Sequence, residues 1–323
     1  MTRPAFEDLP LRKGDPPFSA WSLYGPDDQL GTLNILTPDV VTAAAKEITT
    51  GVRIGLDAPV DYLARPPHDR KPLTHTVIHK APRAVHDDLL DFNTQISSQW
   101  DGFRHFGYQS LGLFYNGAKV SQLSGPEATA NLGMHGITTF IHSGIVGRGV
   151  LLDYLHWSDS QGQTYDKLGD HAITVEELKS VAESQGVTFQ KGDILLIRTG
   201  FHAGYEALSA GDKISWSHQH PIRHVGVETS RSMAKWLWDS QFSACTSDAP
   251  AFEAIPKRST GIDDLFLHEI LLSGWGMPIG EMWNLEQLSR HCHQTKRYTF
   301  FLTSMPLHVV GAVGSPSNAV AIF

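Results

Sequence analysis

Apolar residues along this chain recur with two different periods, and the two periods mark two kinds of element. Spacings of three and four mark helices. Pro38 followed by DVVTAAAKEITTG predicts a helix that stops at Gly51. TVEELKSVAESQG predicts a second, because Thr174 and Glu177 form a capping box and Gly186 supplies the stop. SRSMAKWLWDS places Ala234, Leu237 and Trp238 on one apolar stripe. DDLFLHEILLSG reads as a fourth helix, ending at Gly274. Short apolar runs rich in Val, Ile, Phe and Thr, bounded by Gly, Asp and Pro, predict strands in GIVGRGVLLDY, DILLIRTGF, FSACTSDAP and the tail YTFFLTSMPLHVVGAVGSPSNAVAIF. LLDY and ILLIRTG are almost wholly apolar, so both faces of those strands should be covered. The elements interleave irregularly, which predicts an α/β chain with a large mixed central sheet and flanking helices. No internal repeat or low-complexity stretch interrupts them, and Pro and Gly are spread evenly. The expected organisation is an extended N-terminal arm over residues 1–20 and one domain over 21–323.

Composition narrows the function classes. The chain has 323 residues, ample for a sizeable core, and a net charge of -8. No cluster of Lys and Arg offers a face for a phosphate backbone, so nucleic acid is not an expected partner. The first residues, MTRPAFEDLPLRKGDPPFS, lack the apolar stretch of a secretory leader, and no run reaches the length of a membrane span. A cytoplasmic location and a small-molecule substrate are expected. Cys245 and Cys292 are the two cysteines; widely separated, they read as buried thiols rather than a disulfide framework. Cys292 lies between His291 and His293, but adjacent side chains face different ways and rarely converge on one ion.

Seventeen histidines is a high count. His218, His220 and His224 in SWSHQHPIRH are close enough for a metal site or the mouth of a pocket, although Pro221 breaks any helical spacing. His135 and His142 flank an apolar run and read as core histidines. The informative stretch is QISSQWDGFRHFGYQ, residues 95–109. Read as a strand, it puts Gln95, Ser97, Gln99 and Asp101 on one face. Gly102 permits a turn, and His105 follows within reach. An oxygen-rich row with one imidazole can hold a divalent cation or position a water; a polar edge strand is the plainer alternative.

This stretch resembles the cyclase family, which includes kynurenine formamidase and isatin hydrolase and carries the pattern H-x-G-T-H-x-D-x-P-x-H. Aligned on the aspartate, Asp101 and His105 match. Gln95 and Gln99 stand where the family has histidines, and Phe103 stands where it has proline. WSLYGPDDQLGTLNILTP, GRGVLLDY, GDILLIRTGF, SDAPAFE, LHEILLSGWGMPIGEMWNLEQL and SMPLHVVGAVGSPSNAVAIF are similar to the family's other segments, in the expected order.

The resemblance implies a swivelling β/β/α fold, a homodimer or homotetramer, and a metal-dependent hydrolase of a cyclic or linear amide or of a lactone. It adds His268 and Glu281 to the site, the latter at a looser spacing. The implied metal ligands are Gln95, Gln99, Asp101 and Glu281. Amide oxygens in place of imidazoles favour Mn over Zn, with a metal-free site as the alternative. His105 is the expected general base, with Asp101 orienting the water and His268 serving the leaving group or the oxyanion. Trp100, Phe103 and Tyr108, with Phe106, are expected to line the substrate pocket or else to pack in the core. The other readings are a metal-independent lyase, isomerase or cyclase using His105 and Glu281 for proton transfer, and a non-catalytic binding protein.

Overall fold

The computed structural model describes residues 3–124, 134–140, 143–258, 260–262 and 264–323. Its strands, in chain order, are β1 (Arg53–Gly55), β2 (Thr74–His79), β3 (His86–Asp91), β4 (Gln99–Asp101), β5 (Ile145–Asp153), β6 (Ala172–Ile173), β7 (Ile194–Arg198), β8 (Gly226–Val227), β9 (Ala244–Ser247), β10 (Ile279–Glu281), β11 (Thr299–Ser304), β12 (Gly314–Pro316) and β13 (Ala319–Ile322). Nine of them form one mixed sheet in the order β1-β13-β11-β5-β7-β9-β10-β4-β12. Its centre, β5-β7-β9-β10, is parallel; the pairs on either side are antiparallel. The all-apolar reading of ILLIR holds: every residue of β7 is buried, as expected for a strand covered on both faces. β11 alternates half-buried and buried positions along its length. The α/β class, with a large mixed sheet, follows from this arrangement.

The helices obey their caps, with two exceptions. The Thr174 hydroxyl accepts from the Glu177 backbone N–H while the Glu177 carboxylate accepts from the Thr174 N–H, and helix Val175–Ser184 follows. Helix Arg231–Asp239 also lies where the stripe puts it. The helix expected to reach Gly51 ends at Ala44 and tightens into a 3-10 turn over Ala45–Glu47. The β-branched Ile48, Thr49 and Thr50 hold helix poorly, and the Thr50 and Gly51 N–H groups bond the carbonyl of Phe323 instead. The helix around LFLHEILL runs on as a π-helix, Glu269–Trp275, and stops at Gly276, which is left-handed at φ 62°. Gly274, the expected stop, lies inside it because a Cβ there would sit 2.7 Å from the Tyr108 hydroxyl. Asp263, at the start of that segment, and His142 lie outside the described residues; His135 is buried before the 3-10 turn Ile137–Phe140 rather than beside a strand.

The N-terminal arm packs down rather than extending freely. Phe6 and Phe18 stack at 5.5 Å within the core, and Trp238 donates its ring N–H to the Pro4 carbonyl. The β2–β3 hairpin is the reverse case: all of its residues are exposed, with Val77, Leu89 and Leu90 more than half so. Cys245 and Cys292 are free and buried. His293 bonds Asp153 and Tyr298, while His291 packs on Phe323, so the two imidazoles beside Cys292 diverge. No helix of the described residues is long and apolar enough to cross a membrane.

Candidate active site

The site forms where three segments meet at one side of the sheet. β4 lies between β10 and β12, and its register sets Gln99 opposite Glu281 and Asp101 opposite Ile279. Cross-strand partners share a face, so Gln99, Asp101 and Glu281 point the same way. The strand is only three residues long. Residues 95–98 form a turn, so the polar row expected from residue 95 is broken: Ser97 and Ser98 turn their hydroxyls to the carbonyls of Pro59 and Met282. Gln95 nevertheless returns to the site through that turn. Gly102 then allows a tight reversal against the Val313 carbonyl, where a Cβ would come within 2.9 Å, and His105 donates its backbone N–H to the Gly102 carbonyl. His268 enters from the residue before the π-helix, a rare element that recurs at functional sites.

The side chains are joined by short contacts. Gln95 Nε2 donates to Asp101 Oδ1 (2.6 Å) and lies 3.0 Å from His105 Nδ1. Gln99 Nε2 donates to Glu281 Oε2 (2.9 Å). His268 Nε2 lies 3.0 Å from Glu281 Oε1 and 3.9 Å from Asp101 Oδ2, and its Nδ1 lies 2.6 Å from Glu253 Oε2. His105 Nε2 is also 3.9 Å from Asp101 Oδ2. Asp101, Glu253, Glu281 and His268 are all buried.

Three buried carboxylates thus face one imidazole pair, and their proton affinities spread accordingly. Burial alone would lower the pKa of His268, but Glu253 and Glu281 outweigh it and hold His268 well above its ordinary value. Burial would raise Glu253, yet the imidazolium beside it leaves Glu253 below the usual carboxylate range. Glu281 is pushed up to about 7 by burial and by the charge of Asp101, with His268 offsetting only part. His105 is lowered, chiefly by burial and against the pull of Asp101.

The donor set fits a divalent cation. One ligand atom each from Asp101, His268 and Glu281 lie within 4.8 Å of one another. Asp101 Oδ2 and Gln99 Oε1 are buried with no hydrogen-bond partner among the described residues. An unpartnered buried oxygen costs about 1–3 kcal/mol, and a cation between the carboxylates would satisfy the Asp101 oxygen, and the Gln99 oxygen too once that amide turned over. The Glu253 contact at Nδ1 would direct the His268 Nε2 lone pair toward such an ion, the usual arrangement around a metal-bound imidazole.

The structure regroups the residues expected from sequence. Asp101, Gln99 and Glu281 stand together, and His268, expected to serve the leaving group, stands with them. Gln95, expected as a ligand, donates its amide N–H to Asp101 and lies against His105. Trp100, Phe103 and Tyr108 are packed in the core, one of the two places expected for them. Trp100 stacks edge-on to Trp283 and donates to Ser304, Phe103 packs on Tyr115 and Phe140, and the Tyr108 hydroxyl donates to the Pro17 carbonyl. Alternation explains this, since Trp100 lies between two residues that face the site. Phe106 does adjoin the site, with its ring 5.4 Å from His268 and 5.5 Å from Phe266. Glu253 and Phe266 were not singled out by sequence reasoning; the one sign of Glu253 is that it ends the segment SDAPAFE, which follows β9. His218, His220 and His224 lie on a neighbouring cleft and form no three-ligand group among the described residues.

Comparisons with known proteins agree with this geometry. The Cyclase family model, described as "Putative cyclase", matches residues 35–254. A solved structure described as a novel cyclase is 30% identical, with a TM-score of 0.81 over 94% of this chain and 99% of that one. Isatin hydrolase A from Labrenzia aggregata, bound to benzyl benzoate, shares the fold at 14% identity and a TM-score of 0.56, over 90% of this chain and 98% of that one. A predicted metal-dependent hydrolase from Bacillus stearothermophilus does so at 18% and 0.51, over 84% and 98%. No curated protein sequence matches. The match of the family model over residues 35–254, together with the 30% identity to a solved cyclase over nearly the whole chain, establishes that the chain belongs to the cyclase family.

Proposed function

We propose that this protein is a metal-dependent hydrolase that opens a cyclic or linear amide, or a lactone. The observation that carries the reading is the convergence of Asp101, His268 and Glu281 around a buried carboxylate oxygen with no partner. In this reading those three residues hold a divalent cation, with Gln99 Oε1 as a fourth donor once its amide turns over. Two carboxylates and an amide beside one imidazole make a mostly oxygen set, which suits Mn better than Zn. When bound, the cation supplies Lewis acidity and lowers the pKa of a water.

The remaining residues handle the proton. His105 takes a proton from the water whose oxygen adds to the carbonyl carbon, and the proton passes to the departing nitrogen or oxygen. One C–N or C–O bond breaks, one C–O bond forms, and the products are a carboxylic acid and an amine or alcohol. Gln95 governs whether His105 is ready. With its N–H toward His105 Nδ1, as here, the imidazole proton sits on Nε2 and that atom cannot act as a base. With its oxygen toward Nδ1, Nε2 is free. The second arrangement places the amide oxygen against Asp101, and is relieved when the charge of Asp101 is neutralised. Phe106 and Phe266 give the site an apolar wall.

A second reading rests on Glu281. A carboxyl group that titrates near 7 is matched to proton transfer at neutral pH without a Lewis acid. It would make the protein a metal-independent lyase, isomerase or cyclase using Glu281 and His105. The two readings separate on a panel of amides and lactones assayed before and after EDTA treatment. Turnover lost with EDTA and restored by Mn supports the hydrolase; turnover indifferent to EDTA supports the second reading.

A further inference from the structure

Beside the site lies a cleft that the hydrolytic chemistry leaves unused. One wall is the segment Arg65–Asp69, which leads into the hairpin; the other is the chain from Trp216 to His224. Its floor is His224, which is 1% exposed and has no hydrogen-bond partner for either ring nitrogen among the described residues. Burial pushes the pKa of His224 down to about 3, so the ring is neutral and offers an unused N–H. The exposed His68 stands edge-on to it, with ring centroids 6.1 Å apart, and Trp216 lies at the same distance on another side.

Arg70 connects this cleft to the reacting centre. Its Nη1 donates to the Gln95 carbonyl (2.6 Å), and its other nitrogens have no protein partner among the described residues. Its charge is felt at His68 and His224 on one side and at His105 and Glu281 on the other. The acid on this wall, Asp69, is turned outward and pairs with Arg65, whose Nη1 also contacts His218. A buried N–H without a partner on the cleft floor, and the half-free guanidinium of the residue that follows Asp69 on its wall, make a donor set for a planar anion, because a guanidinium fork and a carboxylate match in geometry.

We propose that the cleft between residues 65–69 and 216–224 binds a carboxylate carried by the substrate, held by His224 on its floor and by Arg70, the residue that follows its first wall, with Trp216 alongside. This identification of the anion as part of a substrate rests on the hydrolase reading; the binding site itself does not. The probe pair is phenylacetate and its neutral analogue phenylacetamide, titrated calorimetrically into the full-length protein. Phenylacetate should bind at least tenfold more tightly than phenylacetamide. Arg70→Gln and His224→Leu should each remove most of that preference, and His68→Asn, which keeps a side chain at ease with the left-handed backbone there (φ 59°), should reduce it. Asp101→Asn should leave it intact, since the probe does not sit on the cation. Equal affinities in the wild type, a preference unchanged in all three cleft variants, or a preference lost in Asp101→Asn would each overturn the proposal. Metal content measured on the same samples separates the two ideas: no metal with a retained preference removes the hydrolase reading and leaves the cleft, whereas bound metal with no preference does the reverse.

Discussion

Glu253→Gln is the most informative single change, because it keeps the shape of a side chain and removes only its charge. Glu253 is fully buried and accepts from both Nδ1 of His268 (2.6 Å) and the His268 backbone N–H (3.2 Å). Removing one partner of a buried ion pair costs about 3–5 kcal/mol. Two features reduce that here: Glu281 stays 3.0 Å from Nε2, and His268 can give up its proton. We therefore expect a loss of about 2–3 kcal/mol in the metal-free protein at pH 7. With an unfolding entropy of about 2.1 cal/mol/K per residue, that is a fall in Tm of about 3–5 °C for a chain of this length. The pH dependence has a definite sign. The folded pKa of Glu253 is depressed, so its contribution is complete above its unfolded value and fades as pH falls through the folded one. The Tm difference between wild type and variant should shrink in acid. Metal binding should suffer too, since loss of the partner that orients a ligating imidazole typically costs 10–100-fold in affinity, or about 1.4–2.8 kcal/mol. Differential scanning calorimetry at pH 7 and pH 4, with Mn titrations of both proteins, checks each part. An unchanged Tm together with unchanged Mn affinity would refute the pairing and orienting role given to Glu253.

Other outcomes follow from the same geometry. The folded pKa of Glu281 is raised from 4.5 to about 7, so its stabilising contribution is present below 4.5 and lost as pH rises through 7. Glu281→Gln should therefore raise the Tm of the metal-free protein more at pH 8 than at pH 5, by an amount equivalent to as much as about 3 kcal/mol; an equal change at both would contradict this. Gln95→Leu should keep its metal and lose on the order of 100-fold in turnover, through disordering of His105; loss of metal instead would make Gln95 a ligand. The hairpin β2–β3 exposes Val77, Leu89 and Leu90, a surface that a second copy of the chain would cover. Light scattering should give the mass of a dimer or tetramer, as the family resemblance implies; a single-chain mass would contradict it.

Much of the fold was legible because local signals and burial agree. The capping box at Thr174 and the apolar run of β7 each specify one element without help from the rest of the chain. The helix expected to reach Gly51 failed where a partner distant in sequence, the Phe323 carbonyl, captured the backbone donors. The π-helix carries no periodic sign of its own, so Gly274 read as a stop although close packing against Tyr108 is what requires it. At the site, Gln99, Asp101 and His105 were found from the strand pattern and the turn after it, and His268 and Glu281 from the resemblance alone. Their roles were not, because roles depend on which atom faces which. The register opposite Glu281 and the contact of Gln95 with Asp101 are facts of the folded chain. For the aromatic residues near Asp101 the sequence left pocket lining and core packing both open, and alternation turns Trp100 into the core. Glu253 was missed because nothing local sets it apart; it matters only through His268, fifteen positions away.

The central claim is that Asp101, His268 and Glu281 hold a divalent cation, and metal analysis of the purified protein tests it most directly. Plasma mass spectrometry of the wild type and Asp101→Asn, each after supplementation with Mn and removal of the excess, should find close to one Mn per wild-type chain and little in the variant. A wild type that carries no metal after supplementation, or an Asp101→Asn variant that carries as much, would contradict the account.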